Sequence, residues 1–557
     1  LPEHILLICE IKDNGREGNT VSFFDFKNTS YSLSRKSVYA KKGMVATSQP
    51  LAAQAGLDIL KKGGNAIDAA IATAAALTVL EPTSNGIGGD AFALVWTKGK
   101  LHGLNASGKS PKSISIEALK EKGYTAIPTH GWIPVTVPGA PGAWAELSKR
   151  FGKLSLKETL APAITYAREG YPISPVLGKF WKKAYVVYKE KLTDEVFSHW
   201  FETFAPKGRA PEVGEIWASK DHADTLLEIA ETNAESFYRG RLAEKIATFS
   251  KETGGFLTEE DLAAYEPEWV DPIHVNYRGY DVWEIPPNGQ GIVALQALNI
   301  LKGFEFPEKE SSDTYHKQIE AIKLAFADAE KYVTEEKRME VTSADILNDS
   351  YAEIRRSLIT DTALTPEAGE PKASGTVYLA TADAEGNMVS FIQSNYMGFG
   401  SGLVVPGTGI ALQNRGHNFS MDPNHINALE GGKKTYHTII PGFLTKDDVA
   451  VGPFGVMGGF MQPQGHLQVV MNTIDFNLHP QAALDAARWQ WIKDKTVEVE
   501  NRFPHHLAEE LAQRGHDIRI QLEPNSFGRG QIIWRNPETG VLIGGSESRT
   551  DGSVAAW

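Results

Sequence analysis

The chain has 557 residues, of which 42% are hydrophobic and 22% charged, and these proportions are those of a folded globular protein. Its formal net charge is −13, and no basic cluster reverses this locally, so we predict neither a nucleic-acid nor a membrane partner. Cys9 is the single cysteine, which excludes an intramolecular disulfide and an all-cysteine metal site and favours a reducing, cytoplasmic location.

The first 36 residues form a polar leader of unknown role, without sustained periodicity. Their short apolar run is interrupted by charges, so we expect no signal peptide. No uninterrupted apolar stretch reaches the ~20 residues of a membrane span. The length of the remaining chain predicts more than one lobe.

Two marked helices follow the leader. The first, in TSQPLAAQAGLDILKKGGN, has Ser48 as its predicted N-cap, Pro50 in the first turn and a Gly-Gly stop. The second, AIDAAIATAAALTVLEP, is apolar nearly all round, which predicts burial between two layers. AFALVW and KLHGLN are then predicted to form neighbouring strands.

The rest of the chain changes from helices to strands. Helical patterns dominate residues 112–370, and TVYLATA and MVSFIQS, joined by DAEGN, then predict a hairpin. Further strands are expected at IIPGFL, VAVGPF, GQIIWR and GVLIGG, with a helix pair, HLQVVMNTIDF and PQAALDAARWQW, between them. This order predicts a layered α+β fold.

Three motifs resemble binding sites but lack the required context. GLNASGKS, residues 103–110, matches the P-loop pattern, yet Pro111 follows at once where a helix should start. SNGIGGDA, residues 84–91, has a helix before it and a strand after it, the reverse of a dinucleotide fingerprint. His505-His506 is interpreted as the start of an amphipathic helix rather than as a metal site.

The junction between Gly375 and Thr376 has two interpretations. Residues 361–375 are polar and rich in proline and small side chains, whereas an apolar strand starts at Thr376. The junction is either a surface loop entering a sheet or a site at which the chain is cut. A cut would give Thr376 a free α-amine beside its hydroxyl, so one residue would supply both a nucleophile and a general base.

Several blocks of the chain, from about Val38 to the end, resemble the γ-glutamyltranspeptidase family of N-terminal-nucleophile hydrolases. The blocks are GMVATSQPLAAQAGLDILKKGGNAIDAAIA, EPTSNGIGGDAF, GKLSLKETLAPAITYAREGYPISP, GGFLTEEDLAAYEPEWVDPI, YRGYDVWEIPP, TVYLATADAEGNMVS, FGSG and VMGGF. The resemblance favours the cut, and it implies a four-layer αββα sandwich with a helical lobe. It also implies self-cleavage between Gly375 and Thr376 into residues 1–375 and 376–557, which stay associated. Residues 37–375 are the large-subunit segment and residues 376–557 the small-subunit segment.

The resemblance also implies the catalytic residues. Thr376 matches the family's nucleophile, and Ser394 falls where a threonine assists that nucleophile. Gly458 and Gly459 match the paired glycines whose amides stabilise the oxyanion. No metal or cofactor is expected, and the predicted substrate is a small-molecule amide.

The positions that bind the substrate's head group depart from the family pattern. Ser107 replaces the arginine that binds the donor's α-carboxylate, and Asn418 replaces the acid that pairs with its α-amine. Tyr396 stands where the family has asparagine, and His437-Thr438 where it has two serines. A zwitterionic γ-glutamyl head should therefore bind poorly.

This pattern is similar to the cephalosporin-acylase-like branch, for which a glutaryl group is the usual example. A glutaryl chain carries a carboxylate without an amine, so a single cation would bind it. Lys109, Arg415 and His437 are the candidates, and among these three we favour Arg415, which lies in the QNRGHNF segment. The alternative that Arg415 forms a surface or structural ion pair stays open.

The sequence thus predicts a self-processing amidohydrolase or acyltransferase that forms a threonine acyl-enzyme. Three alternatives remain: a conventional γ-glutamyl transferase or glutathione hydrolase, a P-loop nucleotide-binding protein, and a precursor that never cleaves and only binds. An oligomer is possible.

Overall fold

The computed structural model describes residues 35–366 and 375–557. The predicted leader up to residue 34 and the part of the predicted loop between residues 367 and 374 lie outside these ranges. The strands are β1 Val38–Ala40, β2 Gly43–Thr47, β3 Asp90–Thr97, β4 Lys100–Ala106, β5 Tyr171–Pro172, β6 Ile216–Trp217, β7 Glu268–Val270, β8 Ile273–Tyr277, β9 Tyr280–Glu284, β10 Gly375–Asp383, β11 Met388–Tyr396, β12 Gly442–Lys446, β13 Val449–Met457, β14 Trp489–Lys493, β15 Thr496–Glu500, β16 Asp517–Gln521, β17 Arg529–Arg535, β18 Leu542–Ser546 and β19 Ser553–Ala556.

The helices are α1 Pro50–Lys61, α2 Ala66–Leu80, α3 Ile116–Glu121, α4 Ala140–Phe151, α5 Leu156–Glu169, α6 Pro175–Lys191, α7 Ser198–Phe204, α8 Lys220–Thr232, α9 Glu235–Arg239, α10 Arg241–Glu252, α11 Glu259–Ala263, α12 Gly291–Leu301, α13 Ser312–Tyr332, α14 Ser343–Ile346, α15 Asp349–Arg356, α16 Met461–Ile474, α17 Pro480–Asp485 and α18 His505–Gln513. None of those in the described ranges combines the length and apolar character that crossing a bilayer requires.

Two seven-stranded sheets stack face to face. One has the order β1-β18-β17-β13-β12-β9-β8 and the other β19-β2-β10-β11-β3-β4-β7. Their facing sides enclose an apolar core that includes Phe92, Tyr378, Ile392, Phe443 and Ile533. Alternate residues of β10 and β11 therefore point into this core, as the strand periodicity requires.

Helices cover the outer face of each sheet. α1 and α2 pack on the sheet that contains β2 and β10, whereas α12 and α16 pack on the sheet that contains β9 and β13. Every residue of α2 is buried, as its apolar sequence predicts, and Asn65 caps it by accepting from the amides of Ile67 and Asp68. These layers confirm the predicted α+β, αββα architecture.

The helical lobe is built on aromatic packing. Trp181 on α6 and Trp200 and Phe204 on α7 contact Phe399, which follows β11. Edge-to-face contacts of this kind add to the stability that area burial supplies. The lobe is thereby attached to the segment that directly follows the predicted catalytic hairpin.

β10 and β11 form the predicted hairpin in the middle of their sheet. The register is regular from Ala382 opposite Met388 to Val377 opposite Gln393, and it shifts before Gly375 opposite Tyr396. The shift is a β-bulge, because two residues of β11 face the single residue Thr376. The bulge sets the positions of the side chains at this end of the hairpin.

Three local predictions need correction. The helix predicted to run through PQAALDAARWQW ends at Asp485, and Trp489–Lys493 is instead the strand β14, because both tryptophans are buried against neighbouring layers. The helix that includes HLQVVMN starts at Met461. The N-cap of α1 is Gln49 rather than Ser48, whose hydroxyl bonds Glu81 instead.

The P-loop alternative is wrong for this fold. No helix follows GLNASGKS until Ile116, so the segment that contains Lys109 does not itself begin a helix, as a P-loop requires. Gly108 serves another purpose: a Cβ there would lie 1.7 Å from Val137 O, so the glycine permits two backbone segments to meet.

Candidate active site

Thr376, the predicted nucleophile, is fully buried at the start of β10. Its Oγ1 lies 3.2 Å from Ser394 Oγ and 3.5 Å from Gln462 Nε2. The amide of Gln462 is oriented by Ile440, whose N–H donates to Oε1 at 3.0 Å, so the NH₂ group faces the threonine. Sequence reasoning missed Gln462, and its position three residues after the glycine pair is the only signal for it.

The bulge in the hairpin brings Ser394 to Thr376. Tyr396 has φ = 75°, an unfavourable region for a bulky side chain, and its N–H donates to Ser394 Oγ at 2.8 Å. With that bond accepted, Ser394 can direct its own hydrogen to the threonine oxygen. The backbone strain at Tyr396 is thus associated with the alignment of two hydroxyls.

Gly458 and Gly459 lie between β13 and α16 with φ values of 139° and 62°. A Cβ at Gly458 would come within 3.1 Å of Gly528 Cα, so both conformation and space favour glycine. Within the described ranges neither N–H donates to a backbone carbonyl. Gln290 Nε2 fixes the pair by donating to Gly459 O at 2.8 Å and to Thr438 O at 2.7 Å.

Arg415 is fully buried in a short 3-10 turn, and its charge is only partly compensated. Its Nη1 donates to Thr438 Oγ1 at 2.7 Å, and its guanidinium lies 4.3 Å from the ring centroid of Tyr396. Nε and Nη2 have no hydrogen-bond partner among the described residues. Burial lowers the pKa of Arg415 to about 10, so it stays charged at neutral pH. Two buried cationic donors without acceptors are the pattern of an anion site.

Asn418 cannot replace the acid of the family pattern. Its Oδ1 accepts from the hydroxyl of Tyr396 at 2.6 Å, and its Nδ2 donates to Tyr436 O at 3.0 Å. The side chain is neutral, and both of its polar atoms are engaged. The structure therefore brings Tyr396, Arg415, Asn418 and Thr438 together without adding a negative charge.

His437 forms a fully buried pair with Asp90, a residue that sequence reasoning did not select. The distance from Nε2 to Asp90 Oδ2 is 3.0 Å, and the N–H of Ile439 faces Nδ1 at 3.4 Å, so Nε2 carries the hydrogen and donates it to Asp90. Burial lowers the pKa of His437 well below its usual range and raises that of Asp90 to about 7. His437 is thus a neutral donor and not a cation for a substrate. Asp90 is the last polar residue of SNGIGGDA, the motif that lacks the context of a dinucleotide fingerprint.

The remaining candidates differ in exposure. Ser107 is buried, and its hydroxyl donates to Asn105 Oδ1 at 2.7 Å. Lys109 is exposed and lines a cavity of about 290 Å³ together with Ser107 and Lys434. Of the three predicted cations, only Arg415 is both charged at neutral pH and buried.

These contacts form one continuous polar chain. Thr376 contacts Ser394, Ser394 accepts from Tyr396, and the Tyr396 ring lies under Arg415. Arg415 donates a hydrogen bond to Thr438, and Gln290 links Thr438 to Gly459 by donating to the main-chain carbonyl of each. The predicted nucleophile, the glycine pair and a buried cation are thereby connected within one site. Among the described residues, a group with metal-ligand geometry consists of His316, Glu320 and His516. These three residues take no part in the series of polar contacts around Thr376.

Known proteins of similar sequence and structure identify the family of this chain. The family model of gamma-glutamyltranspeptidase matches residues 52–557. The glutathione hydrolase-like YwrD proenzyme of Bacillus subtilis (strain 168) is 37% identical over 530 residues, covering 93% of this chain and 99% of the relative. The oxamate amidohydrolase proenzyme of Klebsiella pneumoniae is 32% identical over 529 residues, covering 92% and 98%.

A solved structure gives a closer match. The crystal structure of a cephalosporin acylase from Bacillus halodurans superposes with a TM-score of 0.94 at 68% identity, covering 96% of this chain and 99% of that one. Fold, sequence and relatives agree that this is an amidohydrolase or transferase of the N-terminal-nucleophile type, and the chain belongs to the gamma-glutamyltranspeptidase family.

Proposed function

We propose that the chain cleaves itself between Gly375 and Thr376 and that the freed Thr376 hydrolyses amides whose acyl group carries a carboxylate but no α-amine. The observation that carries the substrate class is Arg415, a fully buried cation with two N–H groups unpartnered among the described residues. The two relatives from Bacillus subtilis and Klebsiella pneumoniae are both named as proenzymes, which supports the processing step.

The reaction uses the groups that lie around the threonine. The freed α-amine takes the hydroxyl proton, Oγ1 attacks the amide carbonyl, and the amides of Gly458 and Gly459 stabilise the oxyanion. Collapse of the tetrahedral intermediate breaks the C–N bond, and the leaving amine takes the proton. Water then hydrolyses the acyl-enzyme ester, or a second amine takes the acyl group. Ser394 and Gln462 position the attacking oxygen.

The charges of the site favour a monoanionic acyl group. Arg415 offers hydrogen bonds to a carboxylate, whereas Asn418 is neutral and Asp90 is engaged by His437. An ammonium group would therefore be desolvated beside Arg415 without a free acid to pair with. Glutaryl amides fit this description, and so does oxamate, the compound in the name of one relative.

Sheet pairing supports lasting association of the two products. β10, which starts at the cleavage site, pairs with β2 of the upstream product on one side and with β11 on the other. β12 likewise pairs with β9. The two products share both sheets, so separating them would expose the core between the sheets. The cytoplasmic location stays a prediction from the single cysteine.

Two measurements test the proposal. The intact mass of the purified protein should show two fragments, the smaller starting with Thr376, and a single chain after prolonged incubation would contradict the processing step. With glutaryl, oxalyl and γ-glutamyl p-nitroanilides as substrates, kcat/KM for one of the first two should exceed that for the γ-glutamyl amide by at least about tenfold. The reverse ranking would favour a conventional γ-glutamyl transferase. Thr376→Ala serves as the background control and should stay uncleaved and inactive.

A further inference from the structure

A second buried polar cluster lies at residues that the catalytic site does not use. His316, Glu320 and Lys323 lie along one face of α13, and His516 lies between α18 and β16. All four are buried. We call these four side chains the tail clamp, because their other contacts are with the main chain of residues 360–364.

The two histidines form a chain of hydrogen bonds whose direction is determined. His316 Nε2 donates to Thr360 O at 2.7 Å. Lys323 Nζ, which can only donate, lies 3.5 Å from His516 Nδ1, so that nitrogen accepts and His516 Nε2 carries the hydrogen. His516 Nε2 lies 2.8 Å from His316 Nδ1 and donates to it. Both rings are thus neutral, and each of their four nitrogens has a partner.

The ion pair of the clamp holds residue 364. Lys323 Nζ lies 2.7 Å from Glu320 Oε1 and donates to Leu364 O at 3.0 Å. The other carboxylate oxygen of Glu320 accepts from Leu364 N at 2.9 Å. Next to these contacts, Ala363 N donates to Arg514 O at 2.8 Å.

The cluster has the ligand types of a metal site but not its charge pattern. The nearest ligand atoms of His316, Glu320 and His516 lie within 4.8 Å of one another. Lys323 already neutralises Glu320, and the lone pairs of both rings that face inward accept hydrogen bonds. A metal ion would have to displace the ammonium group of Lys323 from Glu320. The four side chains are therefore better suited to bind the main chain of residues 360–364 than to bind a metal ion.

We propose that the tail clamp holds residues 360–364 against the C-terminal segment of the chain and that acid opens it. His316, Glu320, Lys323 and the held residues precede the proposed cut, whereas His516 and Arg514 follow it. Leu364 stands 12 positions before Thr376. The clamp would therefore bind the tail of the upstream product to the downstream product, and this part of the inference rests on the proposed self-cleavage.

The sensitivity to acid follows from the contact between the two rings. A distance of 2.8 Å between Nδ1 and Nε2 accommodates one hydrogen, and a second proton would place two N–H groups head to head. It would also add positive charge beside Lys323, Arg514 and Lys495, with Glu320 as the facing acid. Asp313 and Asp361 face Arg514 at 3.8 and 3.9 Å.

The sign of the effect is clear. Burial lowers the pKa of His516 to about 2 and lowers that of His316, whereas the released rings titrate in the ordinary range. The stability of the clamp is present above the ordinary histidine pKa and falls as the pH drops below it. If one histidine is protonated only after release, the equilibrium constant for opening the clamp rises roughly 20-fold between about pH 7 and about pH 5.

Hydrogen–deuterium exchange of the purified full-length protein tests the clamp. We expect the protection of a peptide containing the Ala363 and Leu364 amides, corrected for intrinsic exchange, to fall at least about tenfold from about pH 7 to about pH 5. The double variant Glu320→Met/Lys323→Met, which removes both bonds to Leu364 without leaving an unpaired charge, should lose this protection at both pH values. Equal protection of the wild type at both pH values, or wild-type protection in the double variant, would overturn the proposal.

Two further variants make the test specific. In His516→Gln the amide can still donate to His316 Nδ1 and can turn its oxygen toward a protonated ring. Protection near pH 7 should persist while its loss in acid disappears, and a loss of wild-type size would contradict the acid switch. His222→Gln is the control. His222 is also buried, but it lies on α8 and contacts Ser219, so this variant should show the same protection as wild type at both pH values. The mass of each sample shows separately whether the chain is cut. An intact chain would overturn the two-product part alone.

Discussion

Arg415 and Arg549 are both buried, but their surroundings differ in one respect. Arg549 donates through all three nitrogens of its guanidinium to Glu500, Glu547 and two main-chain carbonyls. Arg415 uses one nitrogen, on Thr438, and its other two have no partner among the described residues. The neighbouring carboxylates raise the pKa of Arg549, whereas burial lowers that of Arg415. A saturated buried arginine serves the fold, whereas an unsaturated one is suited to a ligand.

The largest expected effect is on the saturated arginine. Arg549→Met leaves Glu500 and Glu547 buried with fewer cationic partners, and we expect the free energy of unfolding to fall by about 3–5 kcal/mol. Denaturant titration of the variant measures this change. The control is Arg519→Met, because Arg519 is exposed beside Asp517 and should change stability by less than about 0.5 kcal/mol. If Arg549→Met were as stable as the control variant, the inference that the fully hydrogen-bonded Arg549 stabilises the fold would be wrong.

The unsaturated arginine should show the opposite pattern. Arg415→Met removes a cation that lacks an acidic partner, so the melting temperature should be maintained or raised. Without the donors for the substrate carboxylate, kcat/KM for the preferred carboxylate-bearing amide should fall by roughly 30- to 1000-fold. Lys109→Met, which removes an exposed cation of the same region, is the matched control and should change kcat/KM little. Substantial unfolding of Arg415→Met with normal turnover by the remaining folded protein would assign Arg415 to the fold.

The smallest expected effect concerns Asp90, whose charge acts on Arg415 without a direct hydrogen bond. Its raised pKa stabilises the fold in acid and loses that effect as the pH rises toward about 7. The lowered pKa of His437 stabilises the fold above the ordinary histidine pKa and loses that effect in acid. The two contributions cancel in wild type between about pH 4 and 6.5.

Asp90→Asn should reveal the contribution of His437. Its stability relative to wild type should fall by about 1.4 kcal/mol for each pH unit below about 6.5, because only the histidine linkage remains. Urea titrations of both proteins at several pH values measure the difference. A difference that does not change with pH would mean that His437 does not stay neutral in the fold.

Much of the fold was predictable because local rules and the global structure agree. The all-round apolar α2, the hairpin with its Gly-Asn turn and the start of an apolar strand at the Gly375-Thr376 junction are each encoded within about 20 residues. The errors arose where burial overrides local pattern. In the segment around Trp489, two tryptophans had been assigned to a helix by continuity, but packing against neighbouring layers makes them part of a strand.

The residues of the candidate site also fall into those that the sequence predicts and those that it does not. Thr376, Ser394 and the glycine pair lie in blocks that resemble a known family, so their types and spacing were sufficient to select them. Gln462, Asp90 and the tail clamp were missed, because each acts through a partner far away in sequence. Asp90 meets His437 across 347 positions, and His316 meets His516 across 200.

The sequence by itself determined the family, the layered fold and the residue types around the threonine, because these depend on periodicity and on short motifs. Only the tertiary structure decided which buried charges are compensated. Compensation depends on distances between segments that the chain order does not specify, and it separates a cation that holds the fold together from one whose hydrogen bonds are left for a substrate.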